Sequence, residues 1–304
     1  MWFLILAIAI VFGFLLIRKK KSFIVTDLKI FPIKSCGEIQ LQSVKMNETG
    51  FLYDREWIIL GNDGIMVTQR QDSRLLRLMP SLRMKNDELE ALDLDYEGNK
   101  FSLQPSKTGE ILKFSCQDAN CEGVNEGEAV HKYLQSAFQM DYRLVRVFKH
   151  RQVNEAKPYC GLVSDDFKTN FTDAAQCLIV SKESFEKTKA SLPDRCKNSL
   201  DIECFRANII VRGCTPFEED TWSRFRIGTI DFMGLARCPR CKVTTVDQKT
   251  LKYDENFEPV NTLRKINGNG TKGYFGMHCL RLSNGEIAVG QQVLVRETKK
   301  FPDI

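Results

Sequence analysis

The sequence predicts an α+β, β-rich fold: a β-barrel core with an N-terminal α/β region, preceded by one transmembrane helix. Three observations predict it. After Asp201 the chain breaks into many short apolar runs separated by tight-turn residues, the pattern of a barrel. Helical spacing is confined to a few stretches in the middle of the chain. Met1–Ile17 is apolar throughout.

That first segment reads MWFLILAIAIVFGFLLI. At about 1.5 Å per residue its 17 residues reach roughly 26 Å, just enough for a hydrocarbon core of about 30 Å. A cleaved signal peptide places positive charge before the apolar run and a small-residue site after it. Here Arg18, Lys19, Lys20 and Lys21 follow the run and no A-x-A site appears, so the segment reads as an uncleaved signal anchor. The positive-inside rule then puts the body in the cytosol. A short anchor with a basic flank suits a thin membrane: the mitochondrial outer membrane first, the endoplasmic reticulum or a peroxisome otherwise. The sequons that start at Asn47, Asn170 and Asn269 would be unused.

In the body, Phe23–Ile33 alternates loosely and reads as a strand. Trp57–Leu60, the Asn62-Asp63-Gly64 turn and Met66–Gln69 read as a hairpin. Gly127–Met140 puts Val130, Tyr133, Leu134, Ala137 and Phe138 at helical spacing, and Ser181 caps a second helix over Lys182–Ala190. Phe205–Val211 reads as a strand, the runs around Gly228-Thr229 as a hairpin, and Val243–Val246 as strand-like. Leu280–Arg281 and Ile287–Val289 flank Ser283-Asn284-Gly285, and Val293–Val295 closes the body. The expected organisation is anchor and basic flank 1–21, N-terminal region 22–145, C-terminal domain 146–298 and tail 299–304.

Composition excludes some functions. Of the net charge of +5, four charges sit at Arg18–Lys21, which leaves a near-neutral body without the basic face that nucleic acid requires. No G-x-G-x-x-G follows a strand, so no nicotinamide site is expected. The 11 cysteines are odd in number and several lie in apolar runs, which favours reduced, buried thiols over a disulfide framework.

The most informative stretch is ARCPRCKVTTVD, Ala236–Asp247. Its Cys238-x-x-Cys241 pair admits several readings. Structural zinc needs four ligands, but no second pair exists and His131, His150 and His278 are far apart in sequence. A thioredoxin-like pair opens a helix after an early strand, and this one precedes β-branched residues late in the chain. A single activated thiolate fits the crowding by Arg237, Arg240 and Lys242. One cation about 6 Å away contributes about 2.8 kcal/mol at an effective dielectric of about 20, enough to bring a thiol from about 8.5 toward neutrality. Two buried cysteines beside surface arginines would show the same spacing. Other polar clusters sit where strands end. Lys34 and Ser35 follow the first strand, Arg55 lies in Asp54-Arg55-Glu56-Trp57, and Arg206 and Asn208 flank Ala207 on one face of the expected strand. Arginine and asparagine donors suit a phosphate or polar heterocycle.

Taken together, IFPIKSC (Ile30–Cys36), YDREW (Tyr53–Trp57), MVTQRQ (Met66–Gln71), FTDAAQCLIVS (Phe171–Ser181), FRANIIV (Phe205–Val211) and RCPRCKVTTVD (Arg237–Asp247) resemble the MOSC-domain family. The resemblance covers Val25 to about Arg296 and is nearest to the branch that reduces amidoximes. It implies a MOSC-type barrel after a MOSC-type N-terminal region, and a molybdenum cofactor, a molybdopterin with a terminal phosphate. Cys241 matches the protein ligand to molybdenum. Lys34, Ser35, Arg55, Thr172, Asp173, Ala174, Ala175, Arg206, Asn208, Pro239 and Arg240 match cofactor-binding positions. Ala174 and Ala175 replace residues that tend to be hydroxylic in the branch, which leaves backbone donors there. His278 stands where a tyrosine is usual. The implied activity is reduction of small N-hydroxylated compounds. Electrons would come from NADH through cytochrome b5 reductase and cytochrome b5, and shared anchoring would raise the partners' effective concentration. The alternative is a cofactor-binding or sulfur-carrier protein without reductase activity, although the aminotransferase-like domain of a complete sulfurase is missing and no pyridoxal phosphate is expected.

Overall fold

The computed structural model describes residues 22–303 apart from 107, 117–118, 156–160 and 165. Its centre is an eight-stranded sheet. In order, the strands are Ile209–Arg212, Cys177–Ser181, Tyr274–Arg281, Ile230–Pro239, Trp222–Ile227, Gln292–Thr298, Phe23–Ile30 and Ile39–Leu41. Phe23–Ile30 also pairs with Ile209–Arg212, which closes the sheet into a barrel and removes its free edge there. Cys177–Ser181 and Ile209–Arg212 run parallel, while the other neighbours around the ring are antiparallel. The barrel core holds Val25, Leu28, Ile179, Trp222 and Met277, with Phe225 and Phe232 stacked at 5.2 Å across their strands.

A second core lies beside the barrel. A four-stranded sheet orders Trp57–Leu60, Arg143–Lys149, Ala119–Asn125 and Ile111–Cys116. The helix Glu128–Phe138 joins this core through Val130, Tyr133, Leu134 and Phe138, the positions that its 3.6-residue spacing singles out. It ends at Gln139, which adopts left-handed backbone (φ 56) and returns its N–H to the Gln135 carbonyl. Ser181 caps the helix Lys182–Ser191 by accepting from Ser184 N–H. The Gly228-Thr229 hairpin forms between Trp222–Ile227 and Ile230–Pro239, with Gly228 at φ 55.

Five expectations are corrected. Among the described residues no helix is long and apolar enough to cross a membrane. The longest, Glu128–Phe138, has 11 residues and reaches only about 16 Å of the roughly 30 Å needed. Met1–Ile17 and the Arg18–Lys21 flank lie outside the described residues. The transmembrane helix, and the membrane-anchored location built on it, are therefore withdrawn. Phe205–Val211 is not one strand: Ile202–Phe205 forms a 3-10 turn, Arg206 caps it with left-handed backbone, and the strand begins at Ile209. Val243–Val246 is not a strand either, because Thr244 and Thr245 hydroxyls bond back to the Cys241 and Lys242 carbonyls and hold a 3-10 turn over Lys242–Thr245. The arm Met66–Gln69 pairs with Leu60 and Ile59 at its start, then breaks where the Gln71 side chain accepts from Thr68 N–H.

Candidate active site

The turn after the first barrel strand carries Lys34 and Ser35, and the loop before Trp57 carries Arg55. The cap after the Ile202–Phe205 turn carries Arg206. Ser35, Arg55 and Arg206 all take positive φ, at 69, 48 and 54. Left-handed backbone is disfavoured for such residues and persists where the surroundings hold it in place. For Arg55 and Arg206 the shared contact is Phe31, while the Ser35 carbonyl accepts from Gln69 Nε2 at 2.8 Å. The guanidinium carbons of Arg55 and Arg206 each lie 4.2 Å from the Phe31 ring centroid. Phe31 N–H donates to Asp54 Oδ1 at 2.8 Å, and Arg55 Nη1 donates to both Asp54 oxygens. Arg55 Nη2 also donates to the Arg206 carbonyl at 3.1 Å, and Arg206 Nη1 donates to the Cys36 carbonyl at 2.8 Å.

Every predicted site residue lines one cavity: Lys34, Ser35, Arg55, Thr172, Asp173, Ala174, Ala175, Arg206, Asn208, Pro239, Arg240, Cys241 and His278. Their individual roles differ. Lys34 Nζ donates to the Phe171 carbonyl at 2.7 Å and pairs with Asp173. Partial loss of solvent would raise the Asp173 pKa, but Lys34 outweighs it, with Arg70 and Arg55 adding, and holds the carboxyl well below the usual range. Arg240 is a brace, bonded to the Phe275 carbonyl at 2.7 and 3.0 Å and to the Phe205 carbonyl at 3.0 Å. Asn208 is a brace as well: its amide donates to the Lys29 carbonyl and its oxygen accepts from Leu178 N–H, so it ties strands together. Thr172 shares its hydroxyl with Thr169 at 2.8 Å. Ala174 and Ala175 belong to a small apolar cluster. His278 is buried on the strand Tyr274–Arg281. Burial first, then Arg240 and Arg55 against the pull of Asp173, pushes its pKa down to about 3, so its imidazole is neutral at neutral pH.

The two cysteines of the C-x-x-C separate. Cys238 is buried, its Sγ 3.8 Å from the Pro239 carbonyl, and burial pushes its thiol up to about 11. Cys241 is half-buried and starts the Lys242–Thr245 turn, with its sulfur on the cavity wall. Arg70 Nη2 reaches Cys241 Sγ at 3.3 Å. The residues that crowd Cys241 in sequence turn elsewhere: Arg237 to Asp303, Lys242 over the Tyr253 ring at 4.1 Å. Arg70 and Phe31 were missed in the sequence. Arg70 lies inside the MVTQRQ stretch, in a loop whose distance from Cys241 only folding sets.

Charge decides what the cavity holds. Lys34, Arg55, Arg70, Arg206 and Arg240 line it, against the single carboxylate of Asp173. Arg206 Nη2 is buried and has no acceptor among the described residues. Burial and neighbouring Arg55 pull the Arg206 pKa down to about 10. A buried guanidinium with an unused donor fits a phosphate or similar anion. Among the described residues no cluster of three or more His, Cys, Asp and Glu side chains is placed to hold a metal, which argues against a protein-only zinc site. A metal on Cys241 would need most of its ligands from a non-protein group. A dithiolene pterin with a terminal phosphate meets both demands, so the residues present fit a molybdenum cofactor.

A closed barrel with a cationic cavity and the half-buried Cys241 on its wall defines a protein whose site suits an anionic, sulfur-coordinated cofactor. The chain belongs to the MOSC-domain family. Residues 166–294 match the MOSC domain and residues 22–141 the MOSC N-terminal beta barrel domain. It is 30% identical to bovine mitochondrial amidoxime reducing component 2 over 79% of this chain and 71% of that protein. It is 29% identical to human mitochondrial amidoxime-reducing component 1 over 88% of this chain and 82% of that protein. It is 27% identical to bovine molybdenum cofactor sulfurase over 93% of this chain, and spans about a third, 34%, of that protein's length. The protein is a molybdenum-cofactor-related MOSC protein.

Proposed function

We propose that this protein is a molybdenum-cofactor oxidoreductase that reduces N-hydroxylated compounds, with Cys241 as the protein ligand to molybdenum. The observation that carries the reading is the meeting of Cys241 with Lys34, Arg55, Arg70 and Arg206 around one cavity, with a buried Arg206 donor unsatisfied. When bound, the cofactor supplies two-electron oxygen-atom chemistry. The chain supplies the rest. Lys34, Arg55 and Arg206 would hold the terminal phosphate by charge and hydrogen bonds. Backbone at Thr172–Ala175 and the neutral imidazole of His278 would offer hydrogen bonds to the pterin. Arg240 and Asn208, spent on backbone carbonyls and N–H groups, keep the Cys241 loop and the Arg206 cap in register. Arg70 orients the sulfur and keeps a cation at its side. The net reaction converts an amidoxime, NADH and a proton to an amidine, NAD⁺ and water. With no nicotinamide fingerprint in the chain, cytochrome b5 and its NADH-dependent reductase would deliver the electrons.

The match to the sulfurase over nearly the whole chain favours one second reading, a cofactor-binding or sulfur-carrier protein without reductase activity. One experiment separates them. The purified protein is assayed for molybdenum and pterin, then for NADH-dependent benzamidoxime reduction with cytochrome b5 and its reductase. Turnover supports the reductase. Cofactor without turnover supports the carrier. Protein that takes up no molybdenum refutes both.

A further inference from the structure

Behind the Thr172–Ala175 wall stands an arginine that the cofactor reading does not use. Arg151 is outside the cavity lining and is 3% exposed. Its strand, Arg151–Gln152, pairs with Lys168–Thr169, just before the chain enters the cavity wall. Arg151 Nη2 donates to the Thr172 carbonyl at 2.6 Å. Neighbouring residues already tie down the same stretch. His150 Nδ1 meets Asn170 Oδ1 at 3.0 Å, and Val153 N–H donates to the Phe167 carbonyl at 2.8 Å. The Val153 side chain packs with Ala174 and Ala175. Arg151 itself is poorly satisfied: its Nε and Nη1 are buried and have no acceptor among the described residues. Burying a guanidinium for one carbonyl, with other donors orphaned, costs stability that an apolar side chain would not. Such local conflicts persist where function uses the group.

We propose that Arg151 is a positioning residue of the cofactor site: by gripping the Thr172 carbonyl from behind, it aims the backbone N–H groups of the Thr172–Ala175 segment at the bound cofactor. The inference rests on the cofactor reading. In a trans peptide the N–H points opposite to the carbonyl. A Thr172–Asp173 peptide held by its carbonyl from behind the wall therefore turns the Asp173 N–H toward the cavity. A cationic donor on the carbonyl also polarises the peptide unit and strengthens that N–H as a donor. The Ala174 and Ala175 N–H groups follow; neither makes a hydrogen bond among the described residues, and both residues line the cavity. Successive backbone N–H groups in an irregular turn form a concave site for an anion or a carbonyl oxygen. With alanine at both positions no hydroxyl takes over, so the orientation of the backbone sets how well the segment donates. Lys34 grips the preceding Phe171 carbonyl at 2.7 Å, so successive peptide units are each held by a cation.

The test compares the parent with Arg151→Met and Arg151→Lys, as full-length proteins purified with cofactor. Methionine keeps the apolar stem and removes every donor, whereas lysine returns a charged donor. Molybdenum and pterin per chain are followed through dialysis, and thermal unfolding of the cofactor-free proteins is measured beside them. Arg151→Met should lose cofactor roughly tenfold faster than the parent. Its cofactor-free Tm should stay close to the parent's, because removal of the orphaned donors offsets the lost bond to Thr172. Arg151→Lys should restore retention to near the parental rate. In the cofactor-free proteins the Asp173 amide nitrogen resonance should shift with Arg151→Met and return with Arg151→Lys. A merely structural arginine would lower Tm and leave the dissociation rate where it was. Equal retention in parent and Arg151→Met, or a loss of retention that lysine does not repair, overturns the proposal. Should Arg151→Met fail to fold, the stability premise is wrong and the proposal falls with it. A parent that takes up no molybdenum refutes the cofactor reading itself, and the Asp173 resonance separates that failure from this one.

Discussion

Arg206→Met tests whether the cavity is built for an anion. Methionine keeps the apolar stem and removes the charge. Burial and Arg55 depress the Arg206 pKa from its ordinary 12.5 to about 10, which amounts to about 3 kcal/mol of cost for carrying the charge without an anion beside it. Against that stand one hydrogen bond to the Cys36 carbonyl, worth about 1.5–3 kcal/mol for a charged donor, and the cation–π contact with Phe31, worth about 0.5–2 kcal/mol. The two sides nearly cancel, so the variant should melt close to the parent in low-salt buffer without phosphate. An anion contact to Arg206 Nη2 should contribute about 1.5–3 kcal/mol, so the variant binds phosphate roughly 10- to 150-fold more weakly. The assay is thermal unfolding in rising inorganic phosphate. At 100 times its Kd, phosphate stabilises the parent by about 2.7 kcal/mol, roughly 5–10 °C in Tm. At the same concentration the variant should gain about 1.4 kcal/mol or less. Equal phosphate-dependent shifts in parent and variant would refute the reasoning, and with it the assignment of Arg206 to the cofactor phosphate.

Cys241→Ser should abolish molybdenum retention measured by elemental mass spectrometry, whereas Cys238→Ser should retain it, since only Cys241 sulfur combines exposure with the Arg70 contact; equal loss from both would revive a paired-cysteine site. Gly276 sits at φ 82, and a Cβ there would lie 2.6 Å from Val180 Cγ1 and 2.7 Å from the Ile179 carbonyl, so Gly276→Ala should cost about 2–3 kcal/mol and lower Tm by roughly 4–12 °C. An unchanged Tm would mean that the barrel yields there. Glu219 and Asp220 are buried acids. Burial raises both, and for Asp220 the Glu219 charge adds and brings it to about 7 against Asn267, Arg237 and Arg240. A raised carboxyl favours the folded protonated form, so stability is fully present below about pH 4 and is lost as pH rises toward 7, by up to about 1.4 kcal/mol per pH unit. Urea unfolding should show this slope for the parent and a shallower one for Asp220→Asn, and identical slopes would remove Asp220 as its source.

Local signals were legible where one residue type and its near neighbours settle the conformation. Ser181 announces its helix because its hydroxyl meets Ser184 N–H three residues on. Val130 to Phe138 announce theirs because helical geometry puts them on one face. Gly228-Thr229 announces its hairpin because the turn needs positive φ. β-branched residues misled at Val243–Val246, where threonine hydroxyls satisfy carbonyls locally and outweigh strand propensity. Arg206 misled in the same way: the Phe31 ring and the Cys36 carbonyl hold it in a cap that no local pattern shows.

From residue types and order alone follow the β-rich class, the helix and hairpin positions, the family resemblance and, carried by it, many of the residues that line the cavity, though not Arg70. Tertiary structure alone decided that Phe23–Ile30 closes the barrel against Ile209–Arg212, that Arg70 is the cation at Cys241, and that Asn208 and Arg240 are braces. The reason is sequence separation. Contacts between residues 171 positions apart, such as Arg70 and Cys241, depend on closure of the whole chain, and neither periodicity nor propensity reports on it.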